Sequence, residues 1–379
     1  MINLRRARAM ARNEFLHIFR DPRSLMMALA IPLIMLLLFG YALSLDVDRV
    51  PTMVYDASRS PESRDLIASL RGSRFFDVVD VVSSYSPIER AVDRGTVMMA
   101  VVIPADFSRK ILRGEAADVQ VLVDGSDSNT ASLAIGYAQG AITGYGARMQ
   151  ASYADAHGAG PLHPPVALES RVWYNSDLKS RNFIVPGLIA VILQVIAALL
   201  TSLTIAREWE LGNMELLLST PLRPTELVLG KMAAFFVIGA TDAVIAVLLS
   251  RIAFGVPLRG SLLLLAVGVC IFLFGSLCWG LLVSALARTQ MLAYQMGMLT
   301  SFLPSFLLSG FIYPIENMPS AISVVSYIVP SRYFIAILKG IFLKGIGLEI
   351  LWPQLLLLFV YAGVVFAVTS KRLAQKLVS

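Results

Sequence analysis

Charge is scarce in this chain of 379 residues: aspartate, glutamate, lysine and arginine make up 15%, while 56% of the residues are hydrophobic. A soluble globular domain carries about 25% charged residues, so a soluble protein is excluded as a description of the whole chain. Histidine and cysteine are scarcer still. His17, His157 and His163 are scattered, and none stands at metal-ligand spacing from a cysteine or another histidine. Cys270 and Cys278 share one apolar run, too far apart along it to bridge, and they carry no information about redox compartment. No G-x-x-x-x-G-K-[ST] phosphate loop is present: the single Gly-Lys pair, Gly230-Lys231, has Thr225 where the first glycine belongs. ATP hydrolysis by that route is excluded. No catalytic constellation and no cofactor motif replaces it. The net charge of +6 comes without the aromatic-basic interleaving of a nucleic-acid groove, so nucleic acid is not an expected partner. Asp124-Gly-Ser-Asp-Ser-Asn129 has the acidity of a calcium loop, but lacks its order and its closing glutamate. It reads as a turn followed by a helix cap.

What the chain has in abundance is long apolar runs. Six are long enough to span a bilayer, which takes about 20 residues: 25–45, 183–206, 230–254, 261–287, 290–313 and 349–370. The first follows a basic start and contains, near its end, Ala42-Leu43-Ser44, which resembles a cleavage site, but it is too long for a signal-peptide core and reads as an uncleaved first span. Between the first two runs lies a polar stretch, 46–182. Alternating apolar segments at Pro51–Tyr55, Asp77–Val82, Val97–Ile103 and Val119–Val123 predict strands, and Ser60–Leu70 and Ser86–Arg94 predict helices. The expected fold is therefore an α-helical polytopic membrane protein of six transmembrane helices with an inserted extracytoplasmic α+β domain. Residues 131–149 are small and fairly apolar, but Gln139 and four glycines weaken them as a span; they read as a helix of the inserted domain.

Lysine and arginine near span ends set the orientation. Residues 1–24 carry six arginines, the connector 207–229 and its edge carry Arg207, Arg223 and Lys231, a later turn carries Arg288, and the tail 371–379 carries Lys371, Arg372 and Lys376. The opposite loops hold Arg259, Arg332, Lys339 and Lys344. Both termini are expected in the cytoplasm, the inserted domain outside. Leu4, Ala7, Ala11, Phe15, Ile18 and Phe19 form an apolar stripe, so residues 1–24 should lie flat on the cytoplasmic leaflet until Arg20-Asp21-Pro22 turns them into the first span. Residues 314–348, with Pro314, Pro319 and Pro330, read as an outer segment within 230–370 whose short apolar helix Tyr333–Leu343 lies in the outer interface or dips in as a re-entrant element.

The stretch from Thr201 to Lys231 leaves one apolar run, becomes charged at Arg207-Glu208-Trp209-Glu210, breaks at Pro221 and Pro224, and enters another run. A helix running unbroken to Thr220-Pro221 would pass force from a partner into the membrane. Its coupling candidates are Arg207, Glu208, Trp209, Glu210, Gly212, Glu215 and Pro221. The plainer reading is an ordinary interfacial loop. Asp242 is the one carboxylate well inside a span, where exposure to lipid would cost about 2.5–3.5 kcal/mol, so it should face protein or water. With Gln194, Gln295, Thr300, Ser301 and Ser305 it could line a polar translocation path, with Pro304 kinking the fifth span; the competing reading of Asp242 is a hydrogen bond between helices or between subunits.

Several short segments together resemble the permease subunit of ABC-2-type ATP-binding cassette exporters, close to bacterial multidrug permeases with a large periplasmic domain. They are Glu14-Phe15-Leu16, Arg20-Asp21-Pro22-Arg23-Ser24, Arg207–Glu210 with Gly212 and Met214-Glu215, and Thr220–Pro224. They continue with Leu308–Phe311 and Pro314, Asn317-Met318-Pro319, Pro330–Phe334 and Leu343-Lys344-Gly345, in order along nearly the whole chain. Leu211 stands where a basic residue is common and Lys339 where arginine is common. The resemblance implies a six-helix half-transporter that pairs with a second permease copy or paralogue. It implies a separate cytoplasmic ABC ATPase docked on the connector, membrane lipid around the bundle and, in Gram-negative relatives, a periplasmic adaptor on the outer domain. Export of amphipathic drugs, lipids or envelope components would follow. An ion-coupled secondary transporter, or a receptor or scaffold without an ATPase, is the alternative; a neighbouring gene with a phosphate loop would separate them.

Overall fold

A computed structural model describes residues 4–20, 22–43, 49–156, 174–175, 179–214, 223–287 and 289–378. Its contacts divide the chain into two units, Leu45–Arg171 and the remainder, Met1–Ser44 with Val172–Ser379. The second unit begins with helices α1, Leu4–Arg20, and α2, Pro22–Ala42.

The inserted unit alternates strand and helix: β1 Val50–Asp56, α3 Pro61–Arg71, β2 Phe76–Val82, α4 Ser86–Asp93, β3 Met99–Ile103, α5 Phe107–Leu112, β4 Gln120–Val123 and α6 Ser128–Ala156. The sheet order is β2-β1-β3-β4; the first three strands are parallel and β4 runs antiparallel to β3. All four expected strands and both expected helices are present. Helices intervene between the strands as expected, because parallel strands require crossovers that place helices on the sheet faces. Val50, Val54, Met99 and Val101 pack on one face with Leu66 and Leu70 of α3 and Ala134 and Ala138 of α6. Met53 and Ala100 pack on the other with Ile88 and Ala91 of α4. The period-2 alternation of β1 is thus divided between two cores. Helix α3 starts where Ser60 and Ser63 each accept the other's backbone N–H, at 3.1 and 3.0 Å. The small-residue stretch 131–149 lies within α6, which belongs to this unit.

The helical unit continues with α7 Ser180–Glu210, α8 Pro224–Ile252, α9 Leu262–Leu286, α10 Gln290–Leu307, α11 Ser320–Ser326, α12 Pro330–Lys339 with a π-helical turn Gly340–Lys344, and α13 Leu348–Val378. Among the described residues, four helices are long and apolar enough to cross a membrane: α7, α8, α9 and residues 348–375 of α13. A fifth is reached if α11 and α12 with its π turn, bent by 83°, count as one broken span. The described helical parts of the runs 25–45 and 290–313, which end at Ala42 and Leu307, fall outside that set. The apolar described stretch of α2 is Ala28–Ala42. Helix α10 ends at Leu307, six residues before 313. Pro304 therefore lies in the last turn of α10 rather than at a mid-span kink, and Gly310 beyond it takes φ +78°, which a continuing helix forbids.

Helix α7 is the hub, packed by α2, α8, α9, α10 and α12. Small residues permit this. An added Cβ on Gly280 of α9 would strike Thr201 and Ala198, and one on Gly297 of α10 would meet Ser202 Oγ at 2.9 Å. Polar side chains then join the helices. Thr201 donates to Leu277 O at 3.0 Å, Ser284 Oγ accepts from Ile205 N and Ala206 N at 2.9 Å, and Thr369 donates to Cys278 O at 3.2 Å. Each such bond contributes about 1 kcal/mol in a bilayer, where no water competes for the partners.

Two expectations, about the end of α7 and the stripe of α1, change. The helix leaving the second apolar run does not continue to Thr220-Pro221. It stops at Glu210, because Gly212 adopts φ +72°, the left-handed conformation that terminates helices. The stripe on α1 is not wholly a lipid-facing surface: Ala7 is buried with Met10 and Glu14, while Phe19 is exposed. The buried side of α1 lies along α8, where Gly230 makes room; a Cβ there would stand 2.6 Å from Met10 Cβ and 3.1 Å from Ala7 O.

Candidate functional site

Three charged side chains meet where α1, α7 and α8 converge. Arg223 precedes α8, and the Glu226 carboxylate accepts from Arg223 N at 3.2 Å, closing the first turn. Two turns on, Lys231 follows Gly230 and turns into the packing; it is 2% exposed. Its Nζ donates to Glu14 Oε1 of α1 at 2.5 Å and to Glu208 Oε1 of α7 at 3.1 Å. A buried lone ammonium would cost several kcal/mol; two carboxylates at hydrogen-bond distance offset that cost and fix three helices to one atom. A fourth joins nearby: Glu210 Oε2 accepts from Gln290 N at 2.8 Å, at the start of α10, where the helix dipole favours an anion.

Among the expected coupling residues, the structure therefore splits the roles. Glu208 and Glu210 are engaged within the chain. Trp209 is half-buried and packs against the helical core. Arg207, Leu211 and Gly212 are exposed, Leu211 by 58%. Glu215 and Pro221 lie outside the described residues, as does Asp21. Arg20 is exposed at the end of α1, and Pro22 opens α2. Sequence reasoning missed Glu14 and Lys231 as partners. The signals were a glutamate on the buried side of an amphipathic helix and a lysine inside an apolar one, but nothing in the sequence pairs them.

The polar residues proposed for a path are not gathered into one seam. Gln194 Oε1 accepts from Ser276 Oγ of α9 at 2.6 Å, so it acts as a link between helices. Gln295 is exposed, and Thr300 accepts from Trp279 Nε1 at 3.1 Å. Ser301 is buried with no hydrogen-bond partner among the described residues, and Pro304 is half-buried three positions along. Asp242 is 2% exposed, and neither carboxylate oxygen has a hydrogen-bond partner among the described residues. It borders a cavity of about 10 Å³ whose other walls are apolar side chains of α2, α7 and α8, such as Leu36, Ile189 and Leu193. The expected helix-to-helix hydrogen bond of Asp242 is therefore not formed in this state.

A bundle with several helices long and apolar enough to cross a membrane is the architecture of a polytopic membrane protein. The family model described as ABC-2 family transporter protein matches residues 22–371. The chain belongs to this family. It is 36% identical over 378 residues to the probable multidrug ABC transporter permease YbhS of Escherichia coli, covering 98% of this chain and 99% of that one. It is 31% identical over 344 residues to the probable multidrug ABC transporter permease YbhR, 91% of each. To the inner membrane transport permease YhhJ it is 30% identical over 327 residues, 85% of this chain and 84% of that one. The chain is thus the permease of an ABC exporter, a multi-pass subunit of the inner membrane, and membership implies partnership with an ABC ATPase subunit.

Proposed function

We propose that this permease carries amphipathic drugs, lipids or envelope components outward, in a particle of two permease chains, identical or paralogous, each docked on its own cytoplasmic ATPase. The names of YbhS and YbhR support the drug class. Six spans, 25–45, 183–206, 230–254, 261–287, 290–313 and 349–370, place 46–182 outside, where a periplasmic adaptor could join. They place 1–24, 207–229 and 371–379 in the cytoplasm and 314–348 at the outer face. The excess of lysine and arginine on one set of loops supports this orientation.

The observation that carries the coupling role is the grip of Lys231 on Glu14 and Glu208. Arg207, Leu211 and Gly212, exposed beside that grip, present the docking surface, with Glu215 and Pro221 further along the connector. An ATPase pressing there displaces the end of α7. The ion pairs carry α1 and α8 with it, the Glu210 bond carries α10, and the motion reaches the packed hub of the bundle. Asp242, Gln194, Gln295, Ser301 and Pro304 then lie on helices that shift relative to one another. The test is co-purification of the tagged chain with its ATPase, and dye efflux, in Arg207→Ala with Leu211→Asp. Retention of both activities at normal expression defeats this assignment.

A further inference from the structure

The inserted unit holds a cavity of about 940 Å³, lined by none of the coupling residues. It opens between α3, α5, the segment 114–119 and α6. Its floor and walls are apolar: Leu66, Phe107, Ile111, Val119, Ile142 and Met149. Phe107 and Leu66 belong to the packed core, so the floor is rigid. Tyr145 ties one wall to the other by donating to Glu62 O at 2.8 Å, between α6 and α3. This size and lining fit a drug-sized ligand, since such sites run to about 300–1,000 Å³.

The charged residues that line the cavity have one sign, with Arg64 close enough to Glu62 to act on its charge. Glu62 and Glu115 both line it, and no lysine or arginine is among the lining residues. Glu62 is held in place by Ser108, whose hydroxyl donates to Glu62 Oε2 at 2.7 Å, and that bond keeps the carboxyl below its ordinary pKa and so ionised. The α6 wall is also open. A Cβ on Gly146, which lines the cavity, would meet no atom within 4 Å. An apolar chamber with fixed negative charge at its edge selects an apolar body carrying a positive group.

We propose that this cavity is a binding site for a cationic amphiphile of drug size, its apolar body on Phe107, Leu66 and Met149 and its cationic group toward Glu62 and Glu115. Its occupancy can be read at equilibrium without nucleotide or ATPase, so the test does not depend on ATP-driven export.

The full chain in nanodiscs of zwitterionic lipid would be titrated with rhodamine 6G, a cationic amphiphile, by fluorescence anisotropy, with empty nanodiscs subtracted. Saturable binding is expected, weakened about tenfold when Glu62→Gln and Glu115→Gln are combined. Gly146→Trp, which fills open space, should weaken it at least as much. Glu115→Lys should weaken rhodamine and strengthen the anionic dye 8-anilinonaphthalene-1-sulfonate. Dye bound among the transmembrane helices would ignore all these substitutions, so wild-type titrations in the folded variants overturn the proposal. So do partitioning without saturation and tighter binding of the anionic dye by the wild type. If Gly146→Trp fails to fold, Gly146→Leu and the two glutamine variants decide the matter.

Discussion

Lys231 Nζ and Glu14 Oε1 stand 2.5 Å apart although the residues are separated by 217 positions, and the pair joins the amphipathic first helix to the helix that follows the connector. Glu208, 3.1 Å from the same nitrogen, makes the lysine a bridge between two carboxylates that would otherwise repel each other. Removing the cation alone therefore costs more than removing one carboxylate. Lys231→Met should destabilise the detergent-solubilised permease by about 3–5 kcal/mol, the range for breaking a buried ion pair from one side. Combining it with Glu14→Gln and Glu208→Gln should recover much of the loss, since no unpaired charge stays buried. Thermal unfolding of the single and combined variants measures this; an unchanged melting temperature for Lys231→Met contradicts the bridge.

Glu210 caps α10 through Gln290 N, so its replacement has two separable consequences. Glu210→Ala should cost about 1 kcal/mol as a lost helix cap and should lower both ATPase co-purification and efflux. Glu210→Gln keeps an acceptor for Gln290 N without the charge. If Gln restores efflux where Ala does not, the cap matters; if neither works, the charge meets the ATPase. Wild-type efflux and co-purification in Glu210→Ala, at normal expression, would remove Glu210 from the coupling route.

The inserted unit was legible in the sequence because its strands announce themselves locally. Val50–Asp56 and Met99–Ile103 are short β-branched runs between turn residues, and each was placed within two residues of its observed ends. The separation of the two sheet faces was not legible, since which neighbour covers Met53 rather than Val54 depends on crossover packing. The end of α7 shows another limit. Composition allowed a helix to Pro221, and a single glycine at φ +72° decided otherwise. The Lys231 bridge was illegible for a simpler reason: periodicity finds the buried face of one helix, and the identity of a partner 217 residues away lies in tertiary packing.

Gly212 gives a backbone test. Only glycine, and to a lesser degree asparagine, adopts φ +72° without strain. Gly212→Asn should be tolerated, Gly212→Ala should cost about 1 kcal/mol, and Gly212→Val or Gly212→Pro should misdirect the connector and abolish ATPase co-purification. Normal co-purification with Gly212→Pro would show that the connector's direction is immaterial.

Orientation is testable by labelling. In a background of Cys270→Ser and Cys278→Ala, a membrane-impermeant maleimide applied to intact spheroplasts should modify a cysteine introduced at the exposed Ser126. It should spare one at the exposed Leu211. Modification of position 211 before lysis inverts the proposed topology.

Asp242 is the last case, because its surroundings oppose its chemistry. A carboxyl group with no hydrogen-bond partner among the described residues, facing apolar side chains of α2 and α7, destabilises the packed state by about 1–3 kcal/mol. The cavity beside it, about 10 Å³, has room for about one water and no larger ligand. Such a group persists where another state of the bundle makes use of it. Asp242→Asn keeps the shape and removes the ability to ionise, and Asp242→Leu replaces the unpartnered oxygens with methyl groups. The expected outcome is that Asp242→Leu melts at the same or a higher temperature than wild type, while both variants lose efflux severalfold with ATPase co-purification intact. Stability rising without loss of efflux would take Asp242 off the translocation path. A marked fall in stability for Asp242→Leu would show instead that the carboxyl group has a partner in the assembled membrane particle.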